Sequence, residues 1–319
     1  FAGEFAILRK ESVMSAIAVK KRKVRLPAVL LNTFFILLSL CYILPMLLVI
    51  ATSLTSEDAI LTAGFHIFPV EFSLEAYRTV FHNPSTIIRA YGVTFFTATA
   101  STALGLVITG LSAYPLSRSN FRFKKIFITS YLLSMLFGGS MIPTYIIYSK
   151  YYHLNNTIWV YIVPAMCASG YSVFMFRTFF RSIPESLFEA AKLDGAKELY
   201  IFFKIVIPLS TAIFATVGFQ GFVGGWNNYQ TALIYIRDSK LYTLQYLLNR
   251  ILNENEFLKS LQTGQSDLSP IAQEDIKKAA PTESLKFAMC VVAAGPMICI
   301  FPFFQKYFSK GMVVGSVKG

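Results

Sequence analysis

Six stretches of this chain carry no Asp, Glu, Lys or Arg: residues 26–56, 90–117, 126–149, 151–176, 205–236 and 287–305. The shortest has 19 residues and the longest 32, and together they fill 160 of 319 positions. An apolar helix needs roughly 20 residues to cross the hydrocarbon core of a bilayer. One charged side chain at the centre of such a helix costs about 2.5–3.5 kcal/mol on insertion scales. Six long gaps in the charge therefore predict six spanning helices and an all-α, polytopic membrane fold. Composition agrees, with 55% hydrophobic and 14% charged residues, where soluble domains are about a quarter charged.

The net charge of +12 would suggest nucleic acid in a soluble protein, but its placement follows membrane topology. With the N-terminus cytoplasmic, segments 1–25, 118–125, 177–204 and 306–319 lie inside, holding 19 of the 29 basic residues and 6 of the 17 acidic ones. That is the positive-inside pattern, and nucleic acid is not an expected partner. The run Lys20, Lys21, Arg22, Lys23 and Arg25 anchors the first span; the following apolar stretch is too long, and lacks a small-x-small site, for a cleaved signal. The predicted organisation is a cytoplasmic basic segment 1–25, a transmembrane domain 26–307 and a cytoplasmic tail 308–319. Within the domain, 177–208 is a cytoplasmic loop and 237–283 an extracytoplasmic one. Both termini are expected in the cytoplasm.

Enzyme chemistry finds no footing. Cys41, Cys167, Cys290 and Cys299 all sit in apolar windows without a CxxC pair, and His66, His82 and His153 are isolated, so no metal site is predicted. There is no GxxxxGK[ST] pattern, so ATP hydrolysis would fall to another polypeptide. An intramembrane enzyme would need a buried carboxylate, a His pair or a Ser with a base, and none is evident. The windows also lack Arg and Lys, which disfavours an anion carrier and favours neutral or surface-neutralised cargo.

The spans are predicted at about 27–52, 88–114, 126–148, 157–176, 205–236 and 284–304. The second is rich in Thr, Ala, Ser and Gly, which lets helices approach closely in lipid. Gly138, Gly139 and Pro143 should loosen the third. Between spans four and five, residues 181–208 read as two short helices. Ser182 with Glu185 three positions on has capping-box spacing, predicting a helix from near Ile183, with Pro184 tolerated in its first turn. Helix formers run to Leu193, and Asp194-Gly195 supplies a stop. A second helix is predicted over 196–207.

This loop resembles the "EAA … DGA … I-x-LP" loop of bacterial ABC importer permeases, through Glu189-Ala190-Ala191, Asp194-Gly195-Ala196, Ile205 and Ile207-Pro208, with Ile207 where Leu is usual. Four further stretches are similar to oligosaccharide and polysaccharide-fragment importers of the maltose-permease-type sugar family. They are Gly138-Gly139-Ser140-Met141-Ile142-Pro143, Phe179-Phe180-Arg181-Ser182-Ile183-Pro184, Gly225-Trp226-Asn227, and the ending from Lys310 to Gly319. The resemblance implies a type I ABC importer permease core in a bacterial cytoplasmic membrane, forming half of a sugar pathway. It implies a second homologous permease subunit, two copies of an ATP-binding cassette ATPase and an extracytoplasmic solute-binding protein as partners. ATP and Mg would reside on the ATPase, with no cofactor on this chain. Glu189, Ala190, Ala191, Asp194 and Gly195 would couple to that ATPase, and the tail would reach toward it. A permease for amino acids or peptides is the alternative.

Span five carries a second cluster: Gln220, Trp226, Asn227, Asn228 and Tyr229. On a continuous helix Trp226 would lie about 15 Å below the outer end at Ile236, near mid-membrane. Polar groups at that depth face protein or a watery cavity, and Asn, Gln, Trp and Tyr suit a sugar. These five are the expected pathway residues; the competing reading makes Gly221-x-x-x-Gly225 a packing motif. In the outer loop, Leu241, Leu244, Leu247, Leu248, Ile251 and Leu252 form a helical stripe that would pack on the membrane domain or meet the binding protein. Residues 262–280 show no periodicity.

Overall fold

The structure is a computed structural model describing residues 26–264 and 282–316. Expectations for 1–25, 265–281 and 317–319 lie outside the described residues. The chain divides into two units, Phe1–Leu48 and Val49–Gly319. In the first, the described residues belong to helix α1 (Leu26–Ser53), which contains Pro45. Leu30, Leu31, Phe34, Phe35, Ile36 and Leu37 are all exposed on it. A helix apolar on every side suits lipid.

In the second unit, two short helices follow, α2 (Glu57–Ala63) and α3 (Glu75–Val80), then α4 (Pro84–Ser117). Next come α5 (Lys124–Leu136), α6 (Met141–Ile146) running into a π turn, α7 (Trp159–Ile162) running into a 3-10 turn, and α8 (Gly170–Phe180). The loop holds α9 (Glu185–Leu193) and α10 (Glu198–Ile201), whose π turn leads to α11 (Ile207–Leu209). The last elements are α12 (Thr211–Trp226), α13 (Gln230–Tyr235), α14 (Leu244–Gly264) and α15 (Glu283–Ser316). Among the described residues the only β pairing is an isolated bridge, Thr55 with Phe72.

Three helices are individually long and apolar enough to span a membrane: α1, α4 and α15. The count reaches six when each of three bent pairs is one span. The bends are 112° between α5 and the α6 segment, 48° between the α7 segment and α8, and 82° at Ser210. The loosening expected at Gly138–Pro143 in the third span is a full bend, and the fourth and fifth spans are broken as well. Each bend has a local cause: Gly138-Gly139 before α6, Pro164 in the 3-10 turn before 167–169, and Pro208 ahead of Ser210. Proline withdraws an N–H and crowds the preceding turn, and the freed groups are satisfied locally. The Ser210 N–H, for instance, reaches both Val206 O at 3.0 Å and Ile207 O at 3.1 Å.

Helix α4 is the axle of the second unit, packed along α8 and α12. Small residues make the contact close. A Cβ added to Gly225 would stand 3.1 Å from Ala98 Cα, and one on Gly221 3.4 Å from Thr102 Oγ1. The Gly221-x-x-x-Gly225 stretch is thus a packing motif. At the start of α15, Glu57 acts as a cap from a distant helix: its carboxylate accepts the Glu283 N–H at 2.9 Å and the Ser284 N–H at 3.0 Å. The stripe of α14 packs inward, Leu244, Leu247, Leu248 and Ile251 meeting Ala288, Met289 and Val292. Residues beyond 308 were expected to leave span six, but α15 continues to Ser316. Two glycines at about 1 kcal/mol each do not stop a helix already propagating.

Candidate functional site

Helix α9 buries one face and presents the other. Phe188 and Ala191, one turn apart, join a core with Ala113, Tyr114, Phe180 and Phe202. Glu189, Ala190, Asp194 and Gly195 are exposed. Ala190 forms an outward ridge with Leu193, which is 89% exposed, and Leu187 borders it. Of the five loop residues singled out in the sequence, four therefore share the open side and Ala191 faces in. Leu187 and Leu193 were missed, although helical spacing from Phe188 would have placed Leu193 outward.

The end of α9 is a Schellman turn. The Ala196 N–H donates to Ala191 O at 2.9 Å and the Gly195 N–H to Lys192 O at 3.0 Å, with Gly195 at φ +77°. That left-handed position is why glycine stands there. The start differs from expectation. Ser182 does not cap α9; its hydroxyl donates to Phe179 O at 2.7 Å, closing the end of α8. Ile183 precedes a proline and is steered away from helical geometry, so the helix starts at Glu185 with Pro184 before it. The second helix likewise starts at Glu198 rather than 196.

Both legs of the loop are tied to the end of α4. Arg118 Nη2 pairs with Glu185 Oε1 at 2.9 Å and Nη1 donates to Oε2 at 3.4 Å. Its guanidinium carbon lies 3.8 Å from the centroid of the Phe188 ring. One turn earlier, Tyr114 donates to Glu198 Oε2 at 2.6 Å, and Lys192 Nζ meets the other oxygen at 2.7 Å. These bonds, from Lys192 first and Tyr114 second, hold the Glu198 carboxyl below its ordinary range. A depressed carboxylate contributes above its unfolded pKa, so this tie persists at neutral pH and is lost only as pH falls through the lowered value. Arg177 Nε donates to Leu116 O at 3.1 Å and Lys124 Nζ to Arg118 O at 2.8 Å, so cations cap the last carbonyls of α4.

The five expected pathway residues do not stay together. Trp226 is 2% exposed; its indole N–H donates to Ala293 O at 3.1 Å, and its ring packs beside Tyr91 and Phe222. It is a core residue in this structure, not a cavity wall. The continuous-helix ruler fails because α12 ends at Trp226 and α13 begins at Gln230. Asn228 is spent on that break: its Oδ1 accepts the Thr231 N–H at 3.1 Å and its Nδ2 reaches Thr231 Oγ1 at 2.9 Å. Asn227 is exposed and accepts from Gln245 Nε2 at 3.2 Å, while Tyr229 is half-buried at the head of α13. Gln220 lines a cleft of about 360 Å³ between α4, the α7–α8 break and α12, and the other four are not among its lining residues. Trp226→Ala should consequently act on stability, costing about 3–5 kcal/mol as large core truncations do. Loss of complex yield and thermal stability in detergent would show it; intact stability with lost uptake would restore the cavity role.

The four cysteines are free, and no group of three or more metal-ligating side chains occurs among the described residues.

Residues 12–314 match the family described as binding-protein-dependent transport system inner membrane component. The chain is similar to protein LplC of Bacillus subtilis (strain 168), 37% identical over 278 residues, covering 87% of this chain and 90% of that protein. It is also similar to the polygalacturonan/rhamnogalacturonan transport system permease protein YtcP of the same organism, 34% identical, covering 93% of this chain and all of the relative. Among solved structures, a chain of a bacterial ABC transporter involved in the import of the acidic polysaccharide alginate shares the fold. The TM-score is 0.73 at 24% identity, over 90% of this chain and 98% of that one. A match across nearly the whole length, with relatives above 30% identity, places the chain among the binding-protein-dependent transport system inner membrane components, the family to which it belongs.

Proposed function

We propose that this protein is a transmembrane permease subunit of an ATP-driven importer of oligosaccharides, including fragments of polysaccharides. It works with a second, homologous permease subunit, two copies of an ATPase that carry the ATP and Mg, and an extracytoplasmic solute-binding protein. The observation that carries the reading is the α9 ridge: a short helix, exposed on one face and tied on the other to a spanning helix, in a chain with no ATP-binding pattern. Relatives named for transport of galacturonan and arabino-oligosaccharides support the cargo class. The site is a bacterial cytoplasmic membrane, with both termini and the 177–208 loop on the cytoplasmic side. There α9 docks onto the ATPase through Glu189, Ala190, Asp194 and Gly195 with Leu193.

Two experiments test this. Copurification should recover the ATPase and the second permease, and glycan screening of the binding protein should return oligosaccharides; amino acids or peptides instead would replace the cargo class. For orientation, Lys197→Cys should resist an impermeant maleimide in intact cells and label in inverted vesicles. Labelling from outside would overturn the topology.

A further inference from the structure

The cleft beside Gln220 gathers polar groups, most of which the fold leaves unused. Ser101 and Thr102 of α4, Ser169, Tyr171 and Ser172 at the α7–α8 break, and Gln220 of α12 all line it. Ser101 returns its hydroxyl to Ala98 O at 3.3 Å. Thr102 Oγ1 is buried without a partner. The side chains of Ser169, Tyr171, Ser172 and Gln220 make no hydrogen bond among the described residues. Gln220 and Tyr171 are exposed, Tyr171 by 52%. Unpaired amide and hydroxyl groups are costly against lipid, so such a set faces water or polar cargo.

Depth and charge narrow the choice. Ser101 and Thr102 stand at the middle of the 34-residue α4, about 25 Å from either end at ~1.5 Å per residue. That is the level at which transporters hold cargo, beside broken helices, and the α7–α8 break forms one wall. No charged side chain lines the cleft. Its volume of about 360 Å³ is at the small end of ligand sites. A sugar ring has the matching chemistry: hydroxyls that both donate and accept, and an apolar C–H face that stacks on an aromatic ring.

We propose that this cleft is the chain's own subsite for an uncharged glycosyl unit of the passing oligosaccharide. Gln220 and Ser172 meet its hydroxyls, and Tyr171 is the stacking platform. The inference rests on the oligosaccharide-permease reading and adds a place and a charge state to it. Any carboxylate on the cargo must find its counter-charge outside this cleft.

Cys167 lines the same cleft and is exposed and free, which provides a native reporter. In the full complex in proteoliposomes, with Cys41, Cys290 and Cys299 replaced by Ala, a hydrophilic methanethiosulfonate should modify Cys167 quickly. The rate should exceed by at least tenfold that of a variant keeping only Cys41, which is exposed within an apolar window. A smaller excess would overturn a polar cleft. Uptake is then measured with arabino-, galacturono-, rhamnogalacturono- and raffinose-type oligosaccharides. For those the wild type imports, Gln220→Leu combined with Ser172→Val should cut uptake at least tenfold, whereas Gln220→Asn keeps most of it. Both side chains are unpartnered, so apolar replacements need no repacking, and copurification of the partners checks assembly. Unchanged uptake by the assembled double variant overturns the subsite and leaves the permease reading standing. Import of none of the panel by a complex that still hydrolyses ATP overturns the oligosaccharide reading and the subsite with it.

Discussion

Replacing Gly195 with valine should leave the membrane segments assembled while cutting substrate-stimulated ATP hydrolysis and uptake together by tenfold or more. Gly195 sits at φ +77°, and a Cβ there would meet nothing within 4 Å, so the cost is backbone conformation alone. Left-handed geometry costs an ordinary L-residue roughly 1–2 kcal/mol, and a β-branched side chain resists it more. The chain escapes by unwinding the turn, which gives up the bonds from Gly195 and Ala196 to Lys192 and Ala191. That loosens the last turn of α9, the turn carrying Ala190, Leu193 and Asp194. Asparagine tolerates the conformation, so Gly195→Asn should keep most activity. Ala190→Trp reaches the same end differently: the helix folds, because Ala190 is exposed, but a bulky ring holds the docking surfaces apart. ATPase and uptake assays in proteoliposomes, with copurification as the assembly control, decide the matter. Normal coupling in both variants would reduce the loop to a connector.

What the sequence discloses depends on how local the signal is. The Gly195 turn was legible because Asp194, Gly195 and the helix before them are neighbours along the chain. The spans were legible because charge exclusion is additive over 20 or so residues. It measures the length of an apolar stretch and says nothing of its direction. The 112° bend was therefore expected only as a loosening at Gly138–Pro143, and the 82° bend went unseen although Pro208 marked its place. The Trp226 depth estimate inherited that fault. It extended a straight helix from Ile236 through residues 227–229, where the helix stops. Burial of its indole against Ala293 O, 67 positions away, had no trace in a window around Trp226. Gln220 does line a cleft, and an amide in an apolar span is informative wherever it points.

The tie between α4 and the loop was the least legible feature, since Arg118 and Glu185 are 67 positions apart and Tyr114 and Glu198 are 84 apart. It sets up the second large effect: Arg118→Ala should partly uncouple hydrolysis from uptake with only a modest loss of stability. The Arg118 side chain is 15% exposed and that of Glu185 56%. Leaving Glu185 unpaired in that much solvent costs little, and a pair this exposed contributes about 1 kcal/mol at most. Stacking over Phe188 adds about 0.5–2 kcal/mol. Neither loss unfolds a membrane domain. What disappears is one of the two ties between the loop and a spanning helix, so movement of α9 would be passed to α4 less completely. ATP turnover per sugar imported should rise several-fold, a ratio that a purely structural defect would leave alone because it lowers both rates together. Arg118→Lys keeps the charge but neither the fork nor the planar stack, and should fall between. Tyr114→Phe removes the hydrogen bond of the other link to Glu198, leaving the Lys192 contact within the loop. Combined with Arg118→Ala it should raise the ratio beyond the product of the single effects, because either link alone still drags the helix. Multiplicative single effects would mean that the two contacts act separately. An unchanged ratio in Arg118→Ala would mean that motion reaches the spans by the chain entering and leaving the loop.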